Sequence, residues 1–181
     1  MAASPFPSSQ HFSENCVESA GAVLFHLSTK RICMLHLTSK DEYLLPKGRR
    51  NIGESRQQAA FRELEEETGY ASYLLPVTMP SRAPPAIETE QSSDQVRTYT
   101  AVVEPISVQI RQLKDDAREI KLIWWFAAAI NEEKPVKEDR PGGERYEVKF
   151  YSYEEAVTRL TYQPDRELVG RVLQLVKADH P

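Results

Sequence analysis

The sequence predicts an α/β domain in which a mixed β-sheet is packed between helices. Three observations lead there. Runs of apolar and β-branched residues of strand length alternate with segments of helical periodicity. Two helix starts carry a reciprocal capping signature, Ser55 with Gln58 and Ser152 with Glu155. The chain has 181 residues, which fits one domain with an ordinary hydrophobic core.

Taken in order, residues 1–16 are rich in Ser and Pro and read as a disordered N-terminal arm, leaving 17–181 as a single domain. Residues 17–27 and 31–37 read as two strands joined by a turn at Ser28-Thr29-Lys30. Leu44-Leu45-Pro46 leads into a loop over 47–54, with Gly48 and Gly53 as turn residues. A helix over 56–68 follows, stopped by Gly69. A short strand near 74–77 precedes a proline-containing loop over 79–94, long enough to be mobile or functional. Residues 97–103 and 120–128 read as core strands, separated from a strand at 147–151 by a polar loop over 131–145. The Ser152 helix comes next. Asp165 opens a last amphipathic helix with Leu168, Val172, Leu175 and Val176 on one side.

Composition narrows the function classes. A net charge of −4 gives no general drive toward nucleic acid or anionic membrane, so a polyanion must be met by a local basic cluster. Two cysteines, Cys16 and Cys33, make no disulfide framework and have no zinc-site spacing with histidine; Cys33 in an apolar run reads as a buried thiol. There is no signal-peptide pattern and no apolar stretch of membrane-spanning length. The expectation is a cytoplasmic or nuclear monomer.

The 56–68 helix carries the chemistry. At 100° per residue, Glu66 lies about 60° to one side of Glu63 and Glu67 about 40° to the other, so three carboxylates share one arc. Ala60, Phe61, Leu64 and Thr68 make a separate packing face, and Arg62 sits one turn before Glu66, where it can pair with it. Like charges three and four residues apart each cost roughly 0.2–0.5 kcal/mol. Carboxylates near a helix C-terminus also oppose the dipole, by about 0.3–1 kcal/mol each. A divalent cation removes the conflict, and clustered carboxylate oxygens select hard ions, Mg²⁺ first, then Mn²⁺ or Ca²⁺. A solvated acidic face would show the same residues, and the loop before the helix decides between the two readings.

From Gly48 to Tyr70 the sequence resembles the Nudix box, G-x5-E-x7-R-E-U-x-E-E-x-G-U with U a bulky aliphatic. Gly48, Glu54, Arg62, Glu63, Leu64, Glu66, Glu67 and Gly69 stand at the required positions; Tyr70 replaces the final aliphatic residue at a packing site. Such a match arises by chance on the order of 10⁻⁹ times per start position. The resemblance implies the Nudix α/β/α sandwich and metal-dependent hydrolysis of a phosphoanhydride. By motif position it makes Glu63, Glu66 and Glu67 metal ligands, with the Gly48 carbonyl beside them. Arg62 orients the carboxylates, and Glu54 and Gly69 hold the loop–helix–loop. Glu66 or Glu67 would take the proton of the attacking water, or else Glu144 or Glu147, since some members use a glutamate outside the box.

The flanks bear on the substrate, a small-molecule polyphosphate. Leu45-Pro46-Lys47-Gly48 resembles the box entry of diadenosine polyphosphate hydrolases and diphosphoinositol polyphosphate phosphohydrolases. Val96-Arg97-Thr98-Tyr99 and the 150–156 segment resemble the inositol-pyrophosphate group. Lys47, Arg49 and Arg50, with Arg97 and Arg145, are the candidate phosphate-binding residues, and Arg140 and Lys149 lie near Arg145. A base would need an aromatic clamp, for which Tyr43, Tyr99, Tyr146, Phe150 and Tyr151 are available. The expectation is therefore a diphosphoinositol polyphosphate hydrolase. Diadenosine polyphosphates and mRNA caps are alternatives, as is a ligand-sensing domain without turnover, against which the intact carboxylate set argues.

Overall fold

The structure, a computed structural model, describes residues 6, 8–87, 95–113, 119–138 and 146–180. It contains a mixed eight-stranded sheet with helices on both faces and a separate two-stranded sheet. The strands are β1 (Cys16–His26), β2 (Arg31–Leu37), β3 (Glu42–Leu44), β4 (Lys47–Arg49), β5 (Ser72–Leu74), β6 (Val77–Ser81), β7 (Arg97–Val102), β8 (Ser107–Gln112), β9 (Ile120–Ile130) and β10 (Glu147–Ser152). The helices are α1 (Arg56–Thr68), α2 (Tyr153–Arg159) and α3 (Gln163–Asp179).

In the main sheet the order is β10-β2-β1-β9-β5, with β3 on β2, β4 on β1 and β8 on β9. β1 and β9 run parallel from Cys16↔Ile120 to Phe25↔Ala129, and the other pairings are antiparallel. Both central strands are covered on two faces, which is why each reads as a continuous apolar run. Their alternate residues divide the core. Ala20, Ala22, Leu24, Phe126 and Ala128 pack against Ala59, Ala60 and Leu64 of α1. Val23, Phe25, Ile123, Trp125 and Ala127 pack on the opposite side against α2 and α3, including Leu168, Val172, Leu175 and Val176. The small residues under α1 let that helix lie close to the sheet.

Several elements differ from the sequence reading. Ordered structure begins before residue 17, with a 3-10 turn at Ser13–Asn15 and Cys16 already in β1. Lys47–Arg49, read as loop, is a strand because Gly21 lets β4 approach: a Cβ there would lie 2.4 Å from both the Lys47 Cβ and the Pro46 carbonyl oxygen. The strand expected near 74–77 is two strands, β5 and β6, and Met79–Ser81 belongs to β6 rather than to a loop. β7 is not a core strand. Among the described residues it pairs only with β6, outside the main sheet, and its side chains are half-buried or exposed. β8 has only a weak sequence signal, since Ser-Val-Gln-Ile-Arg-Gln alternates but buries neither face fully. α3 begins two residues before Asp165, at a Tyr162 cap that lacks a side-chain bond, with proline in the first turn. The segments 88–94 and 139–145, within the expected loops, lie outside the described residues. Among the described residues no helix is long and apolar enough to cross a membrane, and Cys33 is buried as expected.

Candidate active site

Both ends of α1 are locally specified. Ser55 accepts from the Gln58 amide while the Gln58 side chain accepts from the Ser55 amide, completing the capping box. At the other end Gly69 has φ 79°, a left-handed conformation that favours glycine. Tyr70 packs edge-on against Phe150, consistent with a packing position.

β4 brings the loop backbone onto the acidic face of this helix. A Cβ on Gly48 would lie 1.8–2.2 Å from the Glu63 carboxylate atoms, so only glycine admits that carboxylate against the strand. The Lys47 amide donates to Glu67 Oε2 at 2.7 Å. Glu63 is 13% exposed at its side chain and Glu66 37%, so Glu66 is the one turned toward solvent.

Arg62 organises the cluster. Its Nε and Nη2 donate to the two Glu54 oxygens at 2.9 and 3.1 Å. Nη1 donates to Glu63 at 2.8 Å and Glu66 at 2.9 Å, and Nη2 donates to the Arg49 carbonyl at 2.7 Å. The hydrogen bond to Glu54, and after it the bond and charge of Glu63, fix the guanidinium firmly as a cation. The same contact holds Glu54 below the usual carboxylate range, helped by the Asn51 amide at 2.9 Å.

Glu67 behaves oppositely. Desolvation by the surrounding protein, with the charges of Glu63 and Glu66, outweighs Lys47 and pushes its carboxyl up to about 7. Glu54, Glu63 and Glu66 thus share one guanidinium, while the desolvated Glu67 carboxyl holds its proton more tightly than an ordinary carboxyl. Among the described residues no three carboxylate, imidazole or thiol groups already converge closely enough to enclose an ion, because Arg62 draws Glu63 and Glu66 to itself. The donor set is nevertheless all oxygen and carries surplus negative charge, which fits a hard divalent cation.

The structure divides the expected phosphate-binding residues. Lys47 and Arg49 pair with Gly21 and Ser19 of β1 and so share the sheet face that carries α3. Arg50 turns the other way. It donates to Glu18 at 2.8 Å and to the Glu54 carbonyl at 2.8 Å, in a group where Glu18 also accepts from Arg56 and from the Trp124 indole. Arg97 stands on β7 and donates to the Gln95 carbonyl, in the separate sheet. Arg145, Arg140 and Glu144 lie outside the described residues.

Glu147 pairs with Lys149 at 2.8 Å and faces His36, with no described contact to the α1 carboxylates. The aromatic candidates have partners of their own. Tyr43 stacks on His36, Phe150 packs on Tyr70 and His26, and Tyr99 donates to the Ala83 carbonyl. Two cations passed over in the sequence, Lys121 on β9 and Arg111 on β8, face Lys47 and Arg49 across the sheet. No local signal marks them, because strand register alone brings them there.

The fold and the glutamate helix together define a Nudix domain. The NUDIX domain family model matches residues 17–171, and the chain belongs to the Nudix family. A curated relative, the 8-oxo-(d)GTP phosphatase of Mycolicibacterium smegmatis, is 36% identical over 73 residues, covering 34% of this chain and 23% of that protein. The chain therefore spans under a quarter of that relative. Solved structures share the fold. The Caenorhabditis elegans Ap4A hydrolase binary complex matches with a TM-score of 0.57 at 19% identity, over 87% of this chain and 96% of that one. A MutT protein from Bacillus halodurans matches with a TM-score of 0.56 at 15% identity, over 87% and 82%.

Proposed function

We propose that the chain hydrolyses a phosphoanhydride bond in a small-molecule polyphosphate, with Mg²⁺, or Mn²⁺ in its place, held by Glu63, Glu66, Glu67 and the Gly48 carbonyl. The observation that carries this reading is a carboxylate cluster that one guanidinium only partly neutralises: Glu67 pushed up to about 7 beside Glu63 and Glu66, with Gly48 flush against Glu63. The bound ion would neutralise phosphoryl oxygens and polarise the attacking water. Arg62 holds Glu63 and Glu66 in fixed orientation through one planar group, which lysine could not reproduce. Glu66 is the most accessible member and takes the proton from the water at a carboxylate oxygen. Lys47 and Arg49 hold phosphate oxygens on the far side of β4.

Within this class we favour a diphosphoinositol polyphosphate. The cations on the α3 face suit a ligand with phosphates on many sides. The similarity to an 8-oxo-(d)GTP phosphatase favours a second reading, a nucleotide substrate such as an oxidised nucleoside triphosphate or a diadenosine polyphosphate. The test is turnover with Mg²⁺, read by mass spectrometry. The panel holds diphosphoinositol polyphosphates, diadenosine tetra- to hexaphosphate, 8-oxo-dGTP, ADP-ribose, nucleoside triphosphates and capped RNA. We expect kcat/KM highest for the inositol pyrophosphate. A nucleotide preferred by tenfold or more moves the assignment to the second reading, and no turnover of any compound overturns the hydrolase reading.

A further inference from the structure

The face of the sheet beneath the start of α3 carries more positive charge than the carboxylate site needs. By register, Lys47 and Arg49 on β4 lie opposite Gly21 and Ser19 on β1. Lys121 on β9 lies beside Val17 of β1 and opposite Arg111 of β8. Alternation from Ile123 and Trp125, both packed toward α3, puts Lys121 on that same face. Four cations thus line one surface across four adjacent strands, a width of about 14 Å at ordinary strand spacing.

Their pairing sets them apart from other basic residues. Arg50, Arg56 and Arg62 each have a carboxylate at ion-pair distance. Among the described residues Lys47, Arg49 and Lys121 have none that close. Burial, and then the charges of Lys47, Arg111 and Arg49, hold the Lys121 ammonium below its usual range. Glu63 acts the other way, which puts this surface within electrostatic reach of the carboxylate site. A half-buried lysine surrounded by three cations is costly unless an anion joins them.

Asp165 supplies the second observation. In the first turn of α3, its side chain is only 5% exposed, and its Oδ1 has no hydrogen-bond partner. Arg111 Nη2 stands 3.6 Å away, and Arg111 Nε donates to Gln109 at 3.1 Å. Asp165 and Gln109 therefore anchor a guanidinium that is still partly open to solvent.

We propose that Lys121 and Arg111, the latter held by Asp165, complete with Lys47 and Arg49 a second phosphate-binding surface that receives substrate phosphates other than those of the scissile anhydride. Lys121 and Arg111 then determine specificity, and Asp165 is a positioning residue. The ligand chemistry is a compact polyanion bearing separate phosphate monoesters. This rests on the hydrolase reading for the word substrate, but the surface can be tested without turnover.

The probe is inositol hexakisphosphate, which has no anhydride to cleave, titrated calorimetrically into the full chain in EDTA. The unmodified protein is expected to bind it. Lys121→Gln and Arg111→Gln should each weaken binding roughly tenfold or more, as for the loss of one charge-assisted contact. Lys177→Gln, an exposed cation at the far end of α3, should change it less than about twofold. Asp165→Asn should weaken it several-fold alone and add nothing in the Arg111→Gln background, since it acts through Arg111; a merely structural role would be additive.

No binding by the unmodified protein, or equal losses from Lys177→Gln and Lys121→Gln, overturns the proposal. Hexakisphosphate binding with this residue pattern, but without Mg²⁺-dependent turnover of any pyrophosphate, would leave the surface standing and overturn the parent reading instead.

Discussion

At the scale of single residues, substitution of a glycine and two glutamates tests the proposed carboxylate site. Glu66→Gln and Glu67→Gln keep shape and remove charge, so each should lower kcat at least roughly 100-fold with the fold retained. Melting temperature should hold or rise as repulsion is relieved. Near-normal turnover in both would sink the metal-ligand assignment. Gly48→Ala tests a different link, since its Cβ must displace the Glu63 carboxylate. A displacement of that size should cost about 100-fold in kcat, measured at saturating substrate. Asp165 makes predictions of opposite sign for stability and for anion binding. Burial raises its carboxyl above the ordinary 3.8, with Arg111 and Lys47 only partly opposing, and Tyr162, bonded to Glu42, also faces it. The folded state therefore binds the proton more tightly than the unfolded chain. Its stabilising contribution is present below pH 3.8 and is lost as pH rises through the raised value. At neutral pH Asp165→Asn should then melt higher than the unmodified protein, even as it weakens anion binding. A lower melting temperature at pH 7 would show that the charge stabilises the fold.

Among the elements, α1 illustrates how far a sequence can be read. Its start, stop and carboxylate arc follow from signals within a few positions of each residue, and the structure has the helix over Arg56–Thr68 with both caps in place. Removing the Ser55 hydroxyl should cost about 1 kcal/mol. Truncating Leu64, which is fully buried, should cost about 2–5 kcal/mol. Urea denaturation of Ser55→Ala and Leu64→Ala checks whether packing outweighs capping here. Strands were read less well, for a physical reason. A strand's neighbours are set by residues far along the chain, so Thr98, Tyr99 and Val102 look like core residues although β7 has only β6 beside it. The converse holds for β8, whose polar alternate residues hide a place at the edge of the main sheet. The same limit split the basic residues. Lys47, Arg49 and Arg50 are adjacent in sequence, yet Arg50 belongs to Glu18 on the α1 face. Lys121 and Arg111 join Lys47 and Arg49 only through register.

For the molecule as a whole, metal and fold should be thermodynamically coupled. EDTA is expected to abolish hydrolysis, and Mg²⁺ or Mn²⁺ to restore it while raising the melting temperature. At a hundredfold excess over Kd the stabilisation is about 2.7 kcal/mol. Activity that survives exhaustive chelation would rule out the carboxylate cluster as its source. The parallel pairing of β1 with β9 has a consequence in time. Its partners, from Cys16↔Ile120 to Phe25↔Ala129, are separated by roughly a hundred residues. The floor on which α1 rests includes Phe126 and Ala128 of the later strand. On the ribosome, the glutamate helix is therefore synthesised long before the floor beneath it is complete. A nascent chain halted before residue 119 lacks β9 entirely and should be cleaved readily by protease. Protection should appear abruptly once β9 has emerged, and refolding in vitro should fall in the slow range of topologies built on distant strand pairs.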